Sequence, residues 1–462
     1  MTLKLSPNEN SVNGIIFIGY NQNKECFSVG LHNGFRIYNS DPLKEYMRCE
    51  LNMAPPGTGV GYVEMLFRTS FIGILGGGKS PHLPPSRFSL WEGDVKKFIL
   101  EMSFKSEIKA VKLRHDRIVI VFKNSLNVYT FSTQPELLYT SETIENPMGI
   151  IAVCQSKSDP IIVHPGQVPG SVIIAHVVQN CGLKNSNPKD LPPPRCIMAH
   201  KNSLVALAIN EPGTLLATAS SRGTLIRIFD TKTCQVMYCL RRGSYLASIT
   251  NICFDSTSQL ICTNSDHCTV HIFDLNSSGG TKDSPGRDNR HSYVEDSSGC
   301  GSSMSCINSP TGTHKKPSKS LLSASDFLPK NLISVKNVTS QVRIHLDHSY
   351  KSICAFSQAE NNTIIVLSSN GSYSKYKFSL INGTYNRLIN VNFLDYNENV
   401  DPPGLRPEVI VGLSWILIST TKKVSTEVAL NLLILLDRVD IIHNHMCLGS
   451  IGSSLHLLTQ RI

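Results

Sequence analysis

One pattern recurs seven times along the 462-residue chain, and it constrains the fold more than any other feature. A small or polar residue opens a short strand of alternating β-branched and aromatic side chains, as in Gly34-Phe35-Arg36-Ile37-Tyr38-Asn39. Further copies fall at 87–92, 125–129, 170–174, 223–230, 268–274 and 371–376. Successive copies lie about 40 to 55 residues apart, the blade period of WD-type and kelch-type propellers. The gap between the sixth and seventh copies is longer, about 100 residues, which breaks that period. It contains 276–320, rich in Ser, Gly, Asn, Pro and Lys, which has too little apolar material to pack and reads as a disordered insertion in the sixth blade. Gly, Pro and Asn turns punctuate the chain throughout, and helical periodicity is weak before residue 400.

The expectation is therefore an all-β, seven-bladed β-propeller of WD-repeat type over residues 1–396, with four strands per blade. The fifth copy is the best formed. Leu215-Leu216-Ala217-Thr218-Ala219-Ser220 leads through Ser221-Arg222-Gly223 to a strand ending Phe229-Asp230, with Phe-Asp where a WD repeat has Trp-Asp. A pair of β-sandwiches is the competing architecture. Residues 397–462 do not continue the pattern: Pro402-Pro403 precedes apolar runs at 409–418 and 428–436, the second fitting a short helix. They read as an appended tail of unknown role.

Composition narrows the function classes. A hydrophobic fraction of 41% with 17% charged residues supplies a full core. The net charge of +9 favours anionic partners without separating nucleic acid from an anionic membrane. The 14 cysteines are irregularly spaced and form no C-x-x-C pair, so zinc ribbons and thioredoxin-type sites have no support. Ile252-Cys253-Phe254 and Ile261-Cys262-Thr263 read as buried, reduced thiols. No metal and no cofactor are expected. No run reaches the roughly 18 apolar residues of a spanning helix, and residues 1–13 lack the apolar stretch of a signal peptide. The expected setting is cytoplasmic.

The segment 73–80, Gly-Ile-Leu-Gly-Gly-Gly-Lys-Ser, matches the phosphate-loop formula G-x-x-x-x-G-K-[ST]. That formula works only when a helix follows, so that its N-terminus faces the phosphates. Here Pro81-His82-Leu83-Pro84-Pro85 follows and forbids the helix. The expectation is a glycine-rich turn between two strands, no nucleotide and no enzyme activity.

Arg241-Arg242 is a different matter. It follows the apolar run 236–240, between the fifth and sixth copies. Neighbouring side chains in an extended chain point to opposite sides, so two adjacent arginines serve two anions rather than one. The planar guanidinium suits bidentate contact with phosphate oxygens. Gly243 is expected to relieve crowding and allow a turn. Candidate companions on the fifth-blade side are His200, Thr218, Ser220, Gly223, Thr224 and Arg227. On the sixth-blade side they are Ser265, His267, Thr269 and His271, with Thr269 and His271 on one face of a strand. The plainer alternative is a solvated arginine pair among blade-turn hydrogen bonds.

Leu240-Arg241-Arg242-Gly243 resembles the Phe/Leu-Arg-Arg-Gly signature of the PROPPINs, phosphoinositide-binding β-propellers whose animal members are the WIPI proteins. The likeness extends through 33–44, 63–68, 76–79, 108–114, 217–230 and 265–273, covering about residues 12–396. Leu before the arginine pair is similar to the WIPI-three type (WD repeat domain forty-five B). The resemblance implies binding of phosphatidylinositol 3-phosphate and 3,5-bisphosphate at two sites, and a non-catalytic adaptor role in autophagosome formation. It implies a first site of His200, Thr218, Ser220, Gly223, Thr224, Arg227 and Arg241, and a second of Arg242, Gly243, Ser265, Thr269 and His271. It also implies a membrane-inserting loop in blade six, for which Leu321, Leu322, Phe327 and Leu328, preceded by Lys315, Lys316 and Lys319, are the candidates. Implied partners are phosphoinositide-containing membranes (phagophore, endosomal or lysosomal) and an autophagy lipid-transfer protein, with no nucleic acid. A WD-repeat scaffold that binds only proteins is the alternative.

Overall fold

A computed structural model describes residues 2–5, 14–50, 58–78, 83–156, 160–177, 193–277, 335–347 and 350–395. The chain divides into two units, Met1–Tyr396 and Asn397–Ile462, and all described residues lie in the first. The inserting-loop candidates Leu321, Leu322, Phe327 and Leu328, almost all of the 276–320 segment and the 397–462 tail lie outside the described residues.

Among the described residues every regular element is a strand, and the strands form seven sheets, the blades of a propeller. In each blade four strands, A to D from the axis outward, follow one another in the chain and pair as neighbours antiparallel. Blade one is Ile15–Tyr20, Cys26–Leu31, Gly34–Asn39 and Lys44–Glu50. Blade five is Leu204–Ile209, Leu215–Ser220, Leu225–Asp230 and Val236–Arg241. Blade six is Ile249–Phe254, Leu260–Ser265, Thr269–Asp274 and Val342–His345. All seven sequence copies prove to be strand C of their blades.

Burial follows the same radial order. Inner strands such as Arg117–Val121 and Thr363–Ser368 are buried along their whole length, because neighbouring blades cover both faces. The D strands Lys44–Glu50 and Lys97–Ser103 alternate exposed and half-buried residues. The described cysteines are free thiols, and Cys253 and Cys262 are buried as expected.

Among the described residues no strand is exchanged between blades seven and one, so side chains close the ring there. Tyr20 donates to Ile365 O (3.1 Å) and Tyr373 to Ser40 O (2.7 Å). Phe27, Tyr38 and Phe393 pack together, with ring centroids 4.9 to 5.5 Å apart. Lys375 Nζ lies 2.9 Å from both Asp41 and Glu360 carboxylates. Burial pulls its pKa down, but those two partners together hold it above the ordinary value.

Two strands were not foreseen. Thr2–Lys4 pairs with the inner strand of blade one. Lys336–Thr339, on the limb returning from the long blade-six connection, adds a fifth strand to blade five, parallel to Val236–Arg241. Its Val338 is buried in the same cluster as Leu240.

The glycine-rich segment needs correcting. It is not a turn: Phe71–Gly78 is strand B of blade two, paired with Thr58–Met65 on one side and Arg87–Glu92 on the other. A Cβ on Gly76 would lie 1.8 Å from Leu83 O, and one on Gly77 2.3 Å from Gly61 Cα. Close backbone approach, not phosphate wrapping, accounts for these glycines. Lys79 and Ser80 lie outside the described residues.

Candidate anion-binding sites

In blades that run A to D antiparallel, the B–C turns and the D–A connections share one end. Around blade five these are the turn 221–224, the connection 199–203 entering from blade four, and the connection 242–248 leaving for blade six. Backbone hydrogen bonds tie them together. Gly170 O accepts from the N–H groups of Ala199 and His200, Thr224 O from Arg242, and Arg222 O from Ala247.

Of the candidates on the fifth-blade side, Thr218, Ser220 and Arg227 share one sheet face. Thr218, Arg227 and Cys239 stand opposite one another across strands B, C and D, with Leu225 opposite Arg241. His200 comes down from the D–A connection, and its Nε2 lies 2.8 Å from Thr218 Oγ1. The Thr218 hydroxyl also donates to Arg227 O (3.3 Å), and the Arg227 guanidinium donates to Ala199 O. Burial, with Arg227 beside it, holds the His200 imidazole at about 4, so the ring is neutral at physiological pH. Ser220 is buried, Thr224 half-buried and Arg241 exposed. Gly223 takes φ +62°, and a Cβ there would lie 1.8 Å from Ala247 O.

Arg242 turns the other way and is buried, 5% exposed against an exposed Arg241. Its Nε donates to Gly223 O (2.6 Å), and its guanidinium also donates to Tyr245 O. In blade six Ser265 Oγ is buried and has no hydrogen-bond partner among the described residues. The Thr269 hydroxyl donates to His267 O (3.1 Å), and His271 Nδ1 lies 3.3 Å from Ser340 Oγ. His267 is exposed, beside Asp266. Burial holds His271 at about 4, with Arg242, Arg343 and His345 adding to the depression.

Those last neighbours were missed in the sequence. In strand D of blade six, Arg343 stands opposite His271 and His345 opposite Thr269, while Val342 and Ile344 turn to the core. Arg343 Nε also donates to Ser340 Oγ (3.0 Å). The signal was the alternation Val342-Arg343-Ile344-His345, separated from its blade by more than sixty residues. One residue was given the wrong reason. A Cβ on Gly243 would meet nothing within 4 Å, so the glycine that crowding demands is Gly223.

Two clusters of guanidinium, imidazole and hydroxyl groups thus flank strand D of blade five. They are suited to bind anions by charge-assisted hydrogen bonds. Among the described residues no three His, Cys, Asp or Glu side chains are placed to hold a metal.

A family model described as PROPPIN matches residues 15–292. The chain is 35% identical over 272 residues to "Autophagy-related protein 18" of Yarrowia lipolytica, covering 56% of this chain and 66% of that one. It therefore spans just under two thirds of that relative's length. It is 31% identical over 368 residues to "Autophagy-related protein 18" of Dictyostelium discoideum, covering 79% of this chain and 89% of that one. Among solved structures, Kluyveromyces lactis Hsv2 superposes with a TM-score of 0.59 at 17% identity, over 82% of this chain and 99% of that one. The last likeness is one of fold. These matches do not distinguish the subgroup with Leu before the arginine pair.

Proposed function

The chain belongs to the PROPPIN family, and on that premise we propose that it binds phosphatidylinositol 3-phosphate and phosphatidylinositol 3,5-bisphosphate through two sites, one on each side of Arg241-Arg242. The observation that carries this reading is the division of the pair. Arg241 is exposed on the strand face that carries Arg227 and Thr218, while Arg242 is buried and near enough to His271 of blade six to lower its pKa. The buried, unpartnered Ser265 hydroxyl supports a ligand at the second site, since a buried hydroxyl ordinarily has a partner. Arg343 and His345 join that second site.

No proton transfer or nucleophile enters this reading. The neutral His200 and His271 rings and the hydroxyls supply hydrogen bonds, and the guanidiniums supply charge. The chain then works as a peripheral membrane adaptor in autophagosome formation, drawn from the cytoplasm to phagophore, endosomal or lysosomal membranes. An autophagy lipid-transfer protein is its proposed partner.

Flotation with vesicles carrying each phosphoinositide in turn tests the reading. Flotation should require a 3-phosphate and should be lost in a folded Arg241→Thr/Arg242→Thr variant. Equal flotation of that variant, or none by the natural chain on any headgroup, would leave a WD-repeat scaffold that binds only proteins.

A further inference from the structure

The 242–248 connection is held at both ends. Arg242 N donates to Thr224 O, the Arg242 side chain to Gly223 O and Tyr245 O, Ala247 N to Arg222 O, and Ser248 N to Asp266 Oδ1. At the crest of this anchored loop Tyr245 is 82% exposed and Leu246 67% exposed. Isolated exposed apolar residues are ordinary, but two adjacent ones on a pinned backbone cannot fold back under the surface.

Their position narrows the partner. The loop stands between the two anion clusters, and the same Arg242 guanidinium that borders the second cluster fixes Tyr245's carbonyl. At the same end, in blade four, Met198 is exposed at the close of strand D and Val168 in the B–C turn, whose Gly170 O accepts from His200 N. Lys201, Arg222 and Arg241 are exposed at this end, with Asp266 and, bonded to Gln167 beside Val168, Glu142 as acidic neighbours. Apolar tips set among cations and anion pockets fit an anionic lipid surface better than a protein groove. Tyrosine in particular settles at the headgroup level, where its ring is buried and its hydroxyl stays wet.

The geometry points to Tyr245 and Leu246 as a bilayer contact, entering the interface between two bound headgroups, with Met198 and Val168 as its outer flank. This rests on the headgroup reading above but concerns different atoms: the sites hold the phosphates, and the loop crest holds the acyl boundary. It requires no part of the long blade-six connection.

The test separates the two. A Tyr245→Ser/Leu246→Ser variant leaves every backbone hydrogen bond of the loop in place. It should keep the natural affinity for soluble inositol 1,3-bisphosphate while losing about tenfold or more in affinity for phosphatidylcholine vesicles containing phosphatidylinositol 3-phosphate, because only the vesicles bury the two side chains. A Tyr245→Trp variant should shift its emission to the blue on those vesicles and be quenched by brominated lipid. Unchanged vesicle affinity with unshifted emission, in a chain that still binds the soluble headgroup, overturns the bilayer contact and leaves the headgroup sites standing. Equal loss of soluble headgroup binding also overturns it, by placing the loop inside a pocket. A natural chain that binds neither probe refutes the headgroup reading, and this inference with it.

Discussion

Replacing Gly223 with alanine puts a methyl group 1.8 Å from the Ala247 carbonyl oxygen, on backbone at φ +62°. The left-handed conformation alone costs an ordinary residue roughly 1 kcal/mol. The contact is with backbone, so no side chain can swing away to relieve it. The B–C turn of blade five must move off the 242–248 connection, and overpacking of this kind adds about 1–3 kcal/mol. The expected loss is therefore about 2–4 kcal/mol. The moving turn carries Gly223 O away from Arg242 Nε, now 2.6 Å apart, so the second site should loosen too. Gly243→Ala is the matched control: it sits in the arginine motif but meets nothing within 4 Å, and should stay within about 0.5 kcal/mol of the natural chain. Urea denaturation measures both, with unchanged slopes showing that the transitions are comparable. A Gly223→Ala variant as stable as the natural chain, or a Gly243→Ala variant equally damaged, would refute the reasoning.

Three further outcomes follow from the same geometry. Ser265→Ala removes a buried hydroxyl that has no partner, so stability should hold or rise by up to about 1 kcal/mol while second-site headgroup affinity falls; calorimetry that finds lower stability and unchanged affinity contradicts this. His164, His200 and His271 are each held at about 4, below the ordinary imidazole value, chiefly by burial. The unfolded chain therefore binds protons that the folded chain refuses. Stability is fully present above about pH 6.5 and is lost as pH falls toward 4, by up to about 3 kcal/mol per histidine; a melting midpoint flat between pH 7 and pH 5 would exclude it. Lys375→Met leaves the mostly buried Asp41 without its cation at the ring closure, at a cost of about 3 kcal/mol read by denaturation, where a change below about 0.5 would show that the aromatic cluster alone closes the ring.

The blade count was readable because of where strand C begins. Gly34, Gly170, Gly223, Cys268 and Gly371, which open five of the seven copies, all take φ between +53° and +145°. The turn before strand C demands glycine or a tolerant residue, and that demand marks the sequence once per blade. Ser220, Gly223, Thr224, Ser265 and Thr269 lie at or beside that turn in blades five and six, whereas His200 and Arg242 lie on the D–A connections that share its end, with Arg241 closing strand D. Partners distant in the chain were not readable. Thr339 reaches Arg241, and Arg343 reaches His271, only after the long blade-six connection. Local periodicity says nothing about which blade a returning strand joins. The glycine run 73–78 misled in the other direction: its composition signals a turn, whereas the need was for backbone contact with Leu83 and Gly61, visible only in three dimensions.

The central claim is that the adjacent arginines serve two sites rather than one. Isothermal titration of the natural chain with soluble inositol 1,3-bisphosphate counts them directly. The account predicts two headgroups per chain, and one in each of the folded single variants Arg241→Thr and Arg242→Thr. A single headgroup per natural chain, lost together in either variant, would contradict it.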